Sequence, residues 1–258
     1  MRFLYIDIFD IEKLPYNIEY LNLGIDFTLC DGTIERSLAD KEALFNIGYS
    51  QLISNKDINK LDEGPRKILF LFIVTQFFRT PYIRKDIQHT LDQFINKLAE
   101  KLGVKIPEGF RISADPESTK RIHLQIMLDT DIVFQLAEML SNAEWTVLRN
   151  DTSIPLWTSD NPVLINNDTP DRGLGLSSKG REIYLVLYPQ LCLTSFDPST
   201  HVRPAVNLEY LNVIDYNCLQ IRRSIRFIYS SDEDFSLARQ FLLDYPQYKN
   251  PIPNTFVY

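Results

Sequence analysis

The spacing of the apolar residues changes near residue 145, and this change limits the folds open to the chain. Before that point apolar side chains recur at helical spacing, and after it they form short runs separated by polar turn segments. Runs of helices followed by runs of strands are typical of α+β proteins. We therefore predict a helix-rich part over residues 35–145, packed on a mostly antiparallel sheet formed by a strand-rich part over residues 146–230.

The two parts are predicted to form one domain. The chain has 258 residues, of which 45% are hydrophobic, and this is enough for the core of one large domain. Residues 3–9 alternate partly and predict a strand that joins the C-terminal sheet. No segment is long and flexible enough to require a second domain, so we predict a single domain over residues 1–258.

Four helices are predicted in the helix-rich part. Asp40 is placed to cap the first, and Gly64 and Pro65 open the second. The second helix is apolar nearly all round and is expected to be buried, ending just before Pro81. The third has one apolar face over residues 87–102, and the fourth is predicted to run without a break over residues 117–142.

Short strands and two further helices are predicted in the C-terminal part. The strand signals lie at residues 145–148, 156–158, 163–165, 183–187, 191–195 and 225–229. The helices are expected over residues 208–222 and 235–245.

Composition and missing motifs exclude several function classes. The formal net charge is −7, which argues against non-specific nucleic-acid binding but leaves a small basic cleft possible. The sequence contains no GxxxxGK[ST], GxGxxG, GxSxG or HExxH pattern. These absences argue against a P-loop kinase, a Rossmann enzyme, an α/β-hydrolase and a zincin.

The cysteines and apolar runs predict a cytoplasmic protein without a metal site. Cys30, Cys192 and Cys218 have no paired spacing, and the three histidines are scattered, so we predict buried free thiols in a reducing compartment. A charge at Asp7 interrupts the first apolar run too early for a signal peptide. The longest apolar run, residues 68–74, is far too short to span a membrane.

The polar stretch from Ser159 to Pro162 is the strongest candidate for a site. It lies between two apolar runs and predicts a strand, a sharp turn and a second strand. In one interpretation Asp160 is a general base, a metal ligand or a hydrogen-bond acceptor, and Asn161 orients the ligand. In the other, the stretch is a turn whose side chains bond the main chain. The sequence leaves both open.

A second candidate lies near the end of the predicted buried helix. Gln76 and Arg79 are three residues apart and therefore share a helix face. Polar groups on an apolar helix require partners, because burying them unpaired is costly. The partner of Arg79 is either a ligand carboxylate or phosphate or a protein carboxylate such as Asp160.

Other polar residues are weaker candidates. His123 lies on a mostly apolar helix face, where a histidine is either a hydrogen-bonded core residue or part of a site. Asn212 interrupts an apolar helical pattern. Arg222, Arg223 and Arg226 form a basic cluster that either contacts phosphates or ends a helix in solvent.

The order of these motifs resembles a known family. Gln76, Arg79, Thr80 and Pro81 form a Gln-x-x-Arg-Thr-Pro pattern, and Thr-Ser-Asp-Asn-Pro-Val follows at residues 158–163. A strand ending at residue 189 and an asparagine-bearing helix near residue 212 come next. This arrangement looks like the uncharacterised domain of unknown function 4238. The resemblance implies no established activity, and it implies an N-terminal His-Tyr-x-Pro motif that the sequence does not contain.

Two hypotheses of function follow. In the first, the protein is a hydrolase acting on a nucleic acid or nucleotide, with Asp160 and Asn161 catalytic. Its ligand-binding residues would be Gln76, Arg79, Ser159, His123 and Asn212. In the second, it is a non-catalytic binding or interaction protein in which these residues form a structural hydrogen-bond network. The partner is an unknown small molecule or a nucleic acid rather than a membrane, and the sequence leaves both the cofactor and the oligomeric state undetermined.

Overall fold

A computed structural model describes residues 4–7, 16–17, 33–105, 107, 110–167, 180–197 and 206–249. Seven α-helices lie in these residues: α1 (Thr33–Asn55), α2 (Glu63–Phe78), α3 (Pro81–Lys101), α4 (Pro116–Leu128), α5 (Thr130–Ser141), α6 (Tyr210–Arg223) and α7 (Ser236–Asp244). The strands of the same residues are β1 (Leu4–Asp7), β2 (Tyr16–Asn17), β3 (Trp145–Asn150), β4 (Thr158–Ser159), β5 (Val163–Asn167), β6 (Arg181–Tyr188), β7 (Leu191–Phe196), β8 (Asn207–Leu208) and β9 (Phe227–Ser230). The predicted α+β class is confirmed.

Two predicted helix bounds are wrong. Helix α1 begins at Thr33, so Asp40 lies inside the helix and does not cap it. The segment predicted as one helix over residues 117–142 consists of α4 and α5. Asp129 separates them, because its backbone is extended (φ −71°, ψ 99°) and its carboxylate accepts a hydrogen bond from the amide of Ile132 at 3.0 Å.

The strands form two sheets. The larger has the order β5-β6-β7-β3-β8, and all its pairings are antiparallel except that of β3 with β8. The smaller has the order β2-β1-β9-β4. Strand β1 therefore pairs with a C-terminal strand, as predicted, with Leu4 opposite Ser230, and it does so in the smaller sheet.

Helix α2 is buried against the larger sheet, as its apolar sequence predicts. Leu69, Phe70, Ile73 and Val74 are fully buried and belong to a core cluster that includes inward-facing residues of β3, β5, β6 and β7. The helix ends at Phe78, before Pro81. No helix in the described part of the chain is long and apolar enough to cross a membrane.

The apolar face predicted on α3 is only partly covered. Phe94 and Leu102 are 63% and 71% exposed, whereas Ile83 and Ala99 are buried. Helix α3 ends as predicted, with Gly103 at a positive φ of 73° two residues beyond Lys101.

Helix α6 lies between two further apolar clusters. Val213 and Leu219 pack in a cluster with residues of the larger sheet, such as Leu148. Ile221 packs in another, which contains Trp157 and residues of β9 and α7.

Candidate functional site

The polar stretch predicted as the site is the point where the chain passes from one sheet to the other. In β4, Ser159 lies opposite Ile228 of β9 in the smaller sheet. In β5, Val163 lies opposite Leu185 of β6 in the larger sheet. We call residues 158–163 the crossing. Its two strands are not a hairpin, because each pairs with a different partner.

The carboxylate of Asp160 binds the main chain that joins α6 to β9. One oxygen, Oδ1, accepts a hydrogen bond from the amide of Ile225 at 2.8 Å. The other, Oδ2, accepts from the amides of Arg226 at 2.8 Å and Phe227 at 3.1 Å. The amide of Asp160 in turn donates to the carbonyl oxygen of Phe227 at 3.1 Å. Asp160 thus fastens three consecutive residues to the crossing.

Asn161 and Ser159 complete the same turn. The Nδ2 of Asn161 donates to the carbonyl oxygen of Arg223, the last residue of α6, at 3.1 Å. The Oγ of Ser159 donates to the carbonyl oxygen of Asn161 and accepts from its amide, at 3.0 and 3.1 Å. Ser159 and Asn161 are both 4% exposed, so water has little access to these bonds. The turn therefore satisfies buried main-chain donors and acceptors alike.

Burial and hydrogen bonding act on Asp160 in opposite directions. Burial raises the pKa of its carboxyl above the ordinary value, and the three amide donors partly offset that rise. The carboxylate thus has main-chain amides as partners, which is what the interpretation as a structural turn predicts.

Three polar side chains of α6, spaced three residues apart, face the same region. Asn217 is fully buried, and its Oδ1 accepts from the amide of Trp157 at 2.8 Å while its Nδ2 donates to the carbonyl oxygen of Pro155 at 3.0 Å. Gln220 is 1% exposed, and Arg223 is half-buried. Sequence reasoning missed Asn217 and Gln220, although their place on the apolar side of a helix was a signal.

Two buried polar groups here have no hydrogen-bond partner among the described residues. They are the side-chain amide of Gln220, at both Nε2 and Oε1, and the indole Nε1 of Trp157. Buried polar atoms in native proteins normally have a partner. These two side chains therefore mark the surroundings of α6 as one place where additional hydrogen-bond partners would satisfy existing groups.

The corner between α2 and α3 contacts the carboxyl end of α6. Gln76 is half-buried on α2, and Arg79 caps the end of that helix with its amide bonded to the carbonyl oxygen of Thr75 at 3.0 Å. Tyr82, in the first turn of α3, hydrogen-bonds to Arg223. Burial lowers the pKa of the Arg223 guanidinium, and the contact with Tyr82 opposes that shift. Tyr82 therefore connects this corner to the carboxyl end of α6.

His123 is a buried residue that holds this same corner. It is 1% exposed, its Nε2 lies 2.6 Å from the carbonyl oxygen of Phe78, and its Nδ1 accepts from Nε of Arg84 at 3.4 Å. A carbonyl only accepts, so Nε2 carries the proton and Nδ1 is unprotonated. Burial lowers the pKa of His123, and the bond to Phe78 opposes that shift.

We expect His123 to make the free energy of unfolding decrease as the pH falls. The folded-state pKa of His123 lies below the ordinary histidine value of 6.5, so the unfolded chain takes up a proton first as the pH falls. Its contribution is present above pH 6.5 and is lost below it, at no more than about 1.4 kcal/mol per pH unit. Urea unfolding at a series of pH values checks this. In His123→Gln, which keeps a donor and an acceptor, the slope should be smaller; an equal slope would contradict the assignment.

Asn212 lies away from the crossing. It is exposed in the first turn of α6, because the helix begins at Tyr210, and its Oδ1 accepts from the amide of Glu209 at 3.0 Å. Arg223 is eleven residues further along the helix, a separation of about 16 Å. The structure therefore brings Ser159, Asp160 and Asn161 together at the end of α6 and places Asn212 at its beginning.

Metal-binding groups and thiols add no further site. Among the described residues, no group of three or more His, Cys, Asp or Glu side chains is placed to hold a metal ion. Cys192 is buried and Cys218 is half-buried, and both are free thiols. Burial raises the pKa of the Cys192 thiol to about 12, so this thiol is unreactive. Cys30 lies outside the described residues.

The comparison with protein families agrees with the resemblance seen in the sequence. The family model described as "Protein of unknown function (DUF4238)" matches residues 29–234. The chain belongs to this family. The DUF4238 match runs from α1 to β9 and so includes the crossing and α6. No curated protein and no solved structure matches the chain. Membership of DUF4238 implies no particular activity.

Proposed function

We propose that this protein is a non-catalytic binding or interaction protein, in which Ser159, Asp160 and Asn161 hold the fold together. The observation that carries this proposal is the binding of the Asp160 carboxylate by three consecutive main-chain amides. A carboxylate offers about four acceptor positions, and three are used. A general base must accept a proton from substrate or water, and Asp160 has about one acceptor position left for that purpose.

The hydrolase hypothesis keeps one supporting observation. Burial raises the pKa of Asp160, and shifts of this kind are common at catalytic carboxyls. Asn161, beside it, contacts the main chain of Arg223, whose side chain would attract a phosphate. Gln76 and Arg79 would extend such an anion site from the α2–α3 corner. The hydrolase hypothesis therefore requires the Asp160 carboxylate both to stabilise the fold and to take part in hydrolysis.

An activity screen of the Asp160→Asn variant separates the two. Asparagine keeps one acceptor oxygen and loses the charge, so a proton-accepting role is lost while part of the hydrogen bonding remains. We expect that neither the wild-type protein nor Asp160→Asn hydrolyses single-stranded DNA, RNA or nucleoside triphosphates. The assays are run below the melting temperature of both proteins. The matched control is Asp151→Asn, which alters an exposed carboxylate just before the crossing. Turnover that is lost only in Asp160→Asn would overturn the proposal.

The proposal includes one domain and a cytoplasmic location. Helix α6 packs in clusters on both of its sides and so links the larger sheet to α7 and β9, which supports a single domain. The free thiols of Cys192 and Cys218 support a reducing compartment.

A further inference from the structure

Helices α3 and α4 form a hairpin whose closed end lies away from the start of α3. The two helices are antiparallel, because Gln88 accepts a hydrogen bond from Thr119, and Asn96, two turns further along α3, binds the main chain of Ile112 at 2.6 and 3.0 Å. With a rise of about 1.5 Å per residue, the closed end is about 20–30 Å from the first residue of α3. We call the described residues of this region the hairpin end: residues 94–105 and 110–112.

Large apolar side chains of the hairpin end are exposed to solvent. Phe94, Leu98 and Leu102 follow one another at four-residue spacing and therefore share one face of α3. Leu98 is 43% exposed, and Phe110, in the connection to α4, is 71% exposed. Since a large side chain offers about 150–250 Å², these four residues together expose about 400 Å². Exposed apolar surface of this size is typical of an interaction site.

Basic side chains accompany the apolar ones. Lys97 and Lys101 are each three residues beyond Phe94 and Leu98, and residues three apart are neighbours on a helix surface. Two more exposed basic residues lie in the connection: Lys105 and Arg111. None of the four basic side chains has a hydrogen bond or an ion pair with another residue of the described chain. Their charges are therefore available to a partner.

The hairpin end is a positively charged region of an acidic protein. Residues 94–112 contain four basic and two acidic side chains, whereas the whole chain has a formal net charge of −7. Glu100 is two residues beyond Leu98, and residues two apart do not face each other, so its carboxylate lies away from the apolar face. Glu108 lies outside the described residues. The local charge therefore favours an anionic partner.

The combination of exposed apolar and basic groups suits a lipid surface better than a second copy of the chain. In a two-fold symmetric pair the same patch faces itself, so the basic groups would meet their own copies and repel them. At a membrane surface, aromatic and leucine side chains enter the boundary between headgroups and acyl chains. Lysine and arginine place their apolar stems along that boundary and their charges at the anionic headgroups.

We propose that the hairpin end binds the surface of a membrane that contains anionic lipids. No helix of the described chain is long and apolar enough to cross a membrane, and binding at the surface requires none. This partner differs from the small molecule or nucleic acid expected from the sequence, because periodicity does not show that the face of α3 is uncovered. The inference goes beyond the proposed function and does not depend on Asp160.

Sedimentation of the full chain with lipid vesicles tests the proposal. One set of vesicles is phosphatidylcholine with about 30% phosphatidylserine, which supplies the negative surface potential, and the other is phosphatidylcholine alone. We expect binding to the anionic vesicles to be at least about tenfold tighter, and added salt should weaken it. Equal binding to both sets, or binding to neither, would overturn the proposal.

A first double variant tests the apolar groups. Phe94→Gln/Leu98→Gln replaces two exposed side chains with a good helix former, so the melting temperature should stay close to that of the wild type. Its affinity for the anionic vesicles should fall by about tenfold or more. The control is Leu211→Gln/Leu243→Gln, which changes two exposed leucines of α6 and α7. An equal loss in the control would contradict the assignment to the hairpin end.

A second double variant tests the charges. Lys97→Gln/Lys101→Gln should also lower the affinity for anionic vesicles by about tenfold, and it should reduce the effect of salt. The control is Lys60→Gln/Lys85→Gln, which removes the same charge at exposed residues outside the hairpin end. The control should bind like the wild type. Equal losses in the two variants would mean that only the net charge matters, and the site would be wrong.

Analytical ultracentrifugation distinguishes the lipid surface from a second copy. We expect the mass in solution to be the same for the wild type and Phe94→Gln/Leu98→Gln. A dimer that this variant dissociates would assign the face to a second copy and overturn the proposal. Failure to bind vesicles leaves the role of Asp160 in the fold unaffected, and turnover that depends on Asp160 leaves the vesicle measurement valid.

Discussion

Replacing Asp160 with alanine is expected to lower the free energy of unfolding by about 3 kcal/mol, because an unsatisfied buried group costs about 1–3 kcal/mol. The substitution removes the acceptor of three amides, those of Ile225, Arg226 and Phe227. Water can replace the carboxylate at the amide of Arg226, where the hydrogen bond is exposed. It can do so less well at the part-buried amides of Ile225 and Phe227. The variant also avoids the free-energy cost of burying a carboxylate, and this offsets part of the loss. Chemical denaturation of the purified variant measures the difference.

The matched control for this prediction is Asp151→Ala. Asp151 is an exposed aspartate just before the crossing, and substitutions at such positions change stability by no more than about 0.5 kcal/mol. A loss below about 1 kcal/mol in Asp160→Ala would show that the amide bonds contribute little. In that case the interpretation of the turn as a structural element would fail, and the polar stretch would again need a ligand to explain it.

Much of the fold could be predicted from the sequence because helical and strand periodicities are local. The apolar stretch of α2, enclosed by Pro65 and Pro81, predicts both its ends and its burial. The early strand also joins strands of the C-terminal half, as expected. The break at Asp129 was missed, although Asp129, Thr130 and Asp131 together contain a capping signal that a single long apolar stripe obscures.

Strand pairing at the crossing was beyond local reasoning. The pattern around residues 156–165 predicts two strands and a turn, and both strands exist. The alternation of apolar and polar side chains indicates which face of a strand is buried, but it does not indicate which strand pairs with it. The partner of β4 is β9, with Thr158 opposite Tyr229, about 70 residues away in sequence. Only this distant pairing brings Asp160 to the amides it binds.

The candidate site could be predicted only in part, because local patterns do not identify partners that are distant in sequence. The sequence singles out Ser159, Asp160 and Asn161 and leaves two roles open for them, a ligand site or a turn whose side chains bond the main chain. The partners are main-chain groups, which no side-chain pattern reports. On α3 the difficulty is reversed, because periodicity identifies the face that carries Phe94 and Leu98 but not whether another element covers it.

Asn217 holds the main chain that leads into the crossing, and its replacement by alanine is expected to lower the free energy of unfolding by about 2–4 kcal/mol, the range for losing two hydrogen bonds and leaving their partners unpaired. Its Oδ1 accepts from the amide of Trp157 at 2.8 Å, and its Nδ2 donates to the carbonyl oxygen of Pro155 at 3.0 Å. Asn212→Ala is the matched control on the same helix, because Asn212 is exposed, caps the helix start and is worth about 1 kcal/mol or less. Thermal and urea unfolding of both variants give the comparison. Equal losses would mean that the buried amide of Asn217 is replaced by water, and that Trp157 is positioned by packing against Phe235 alone.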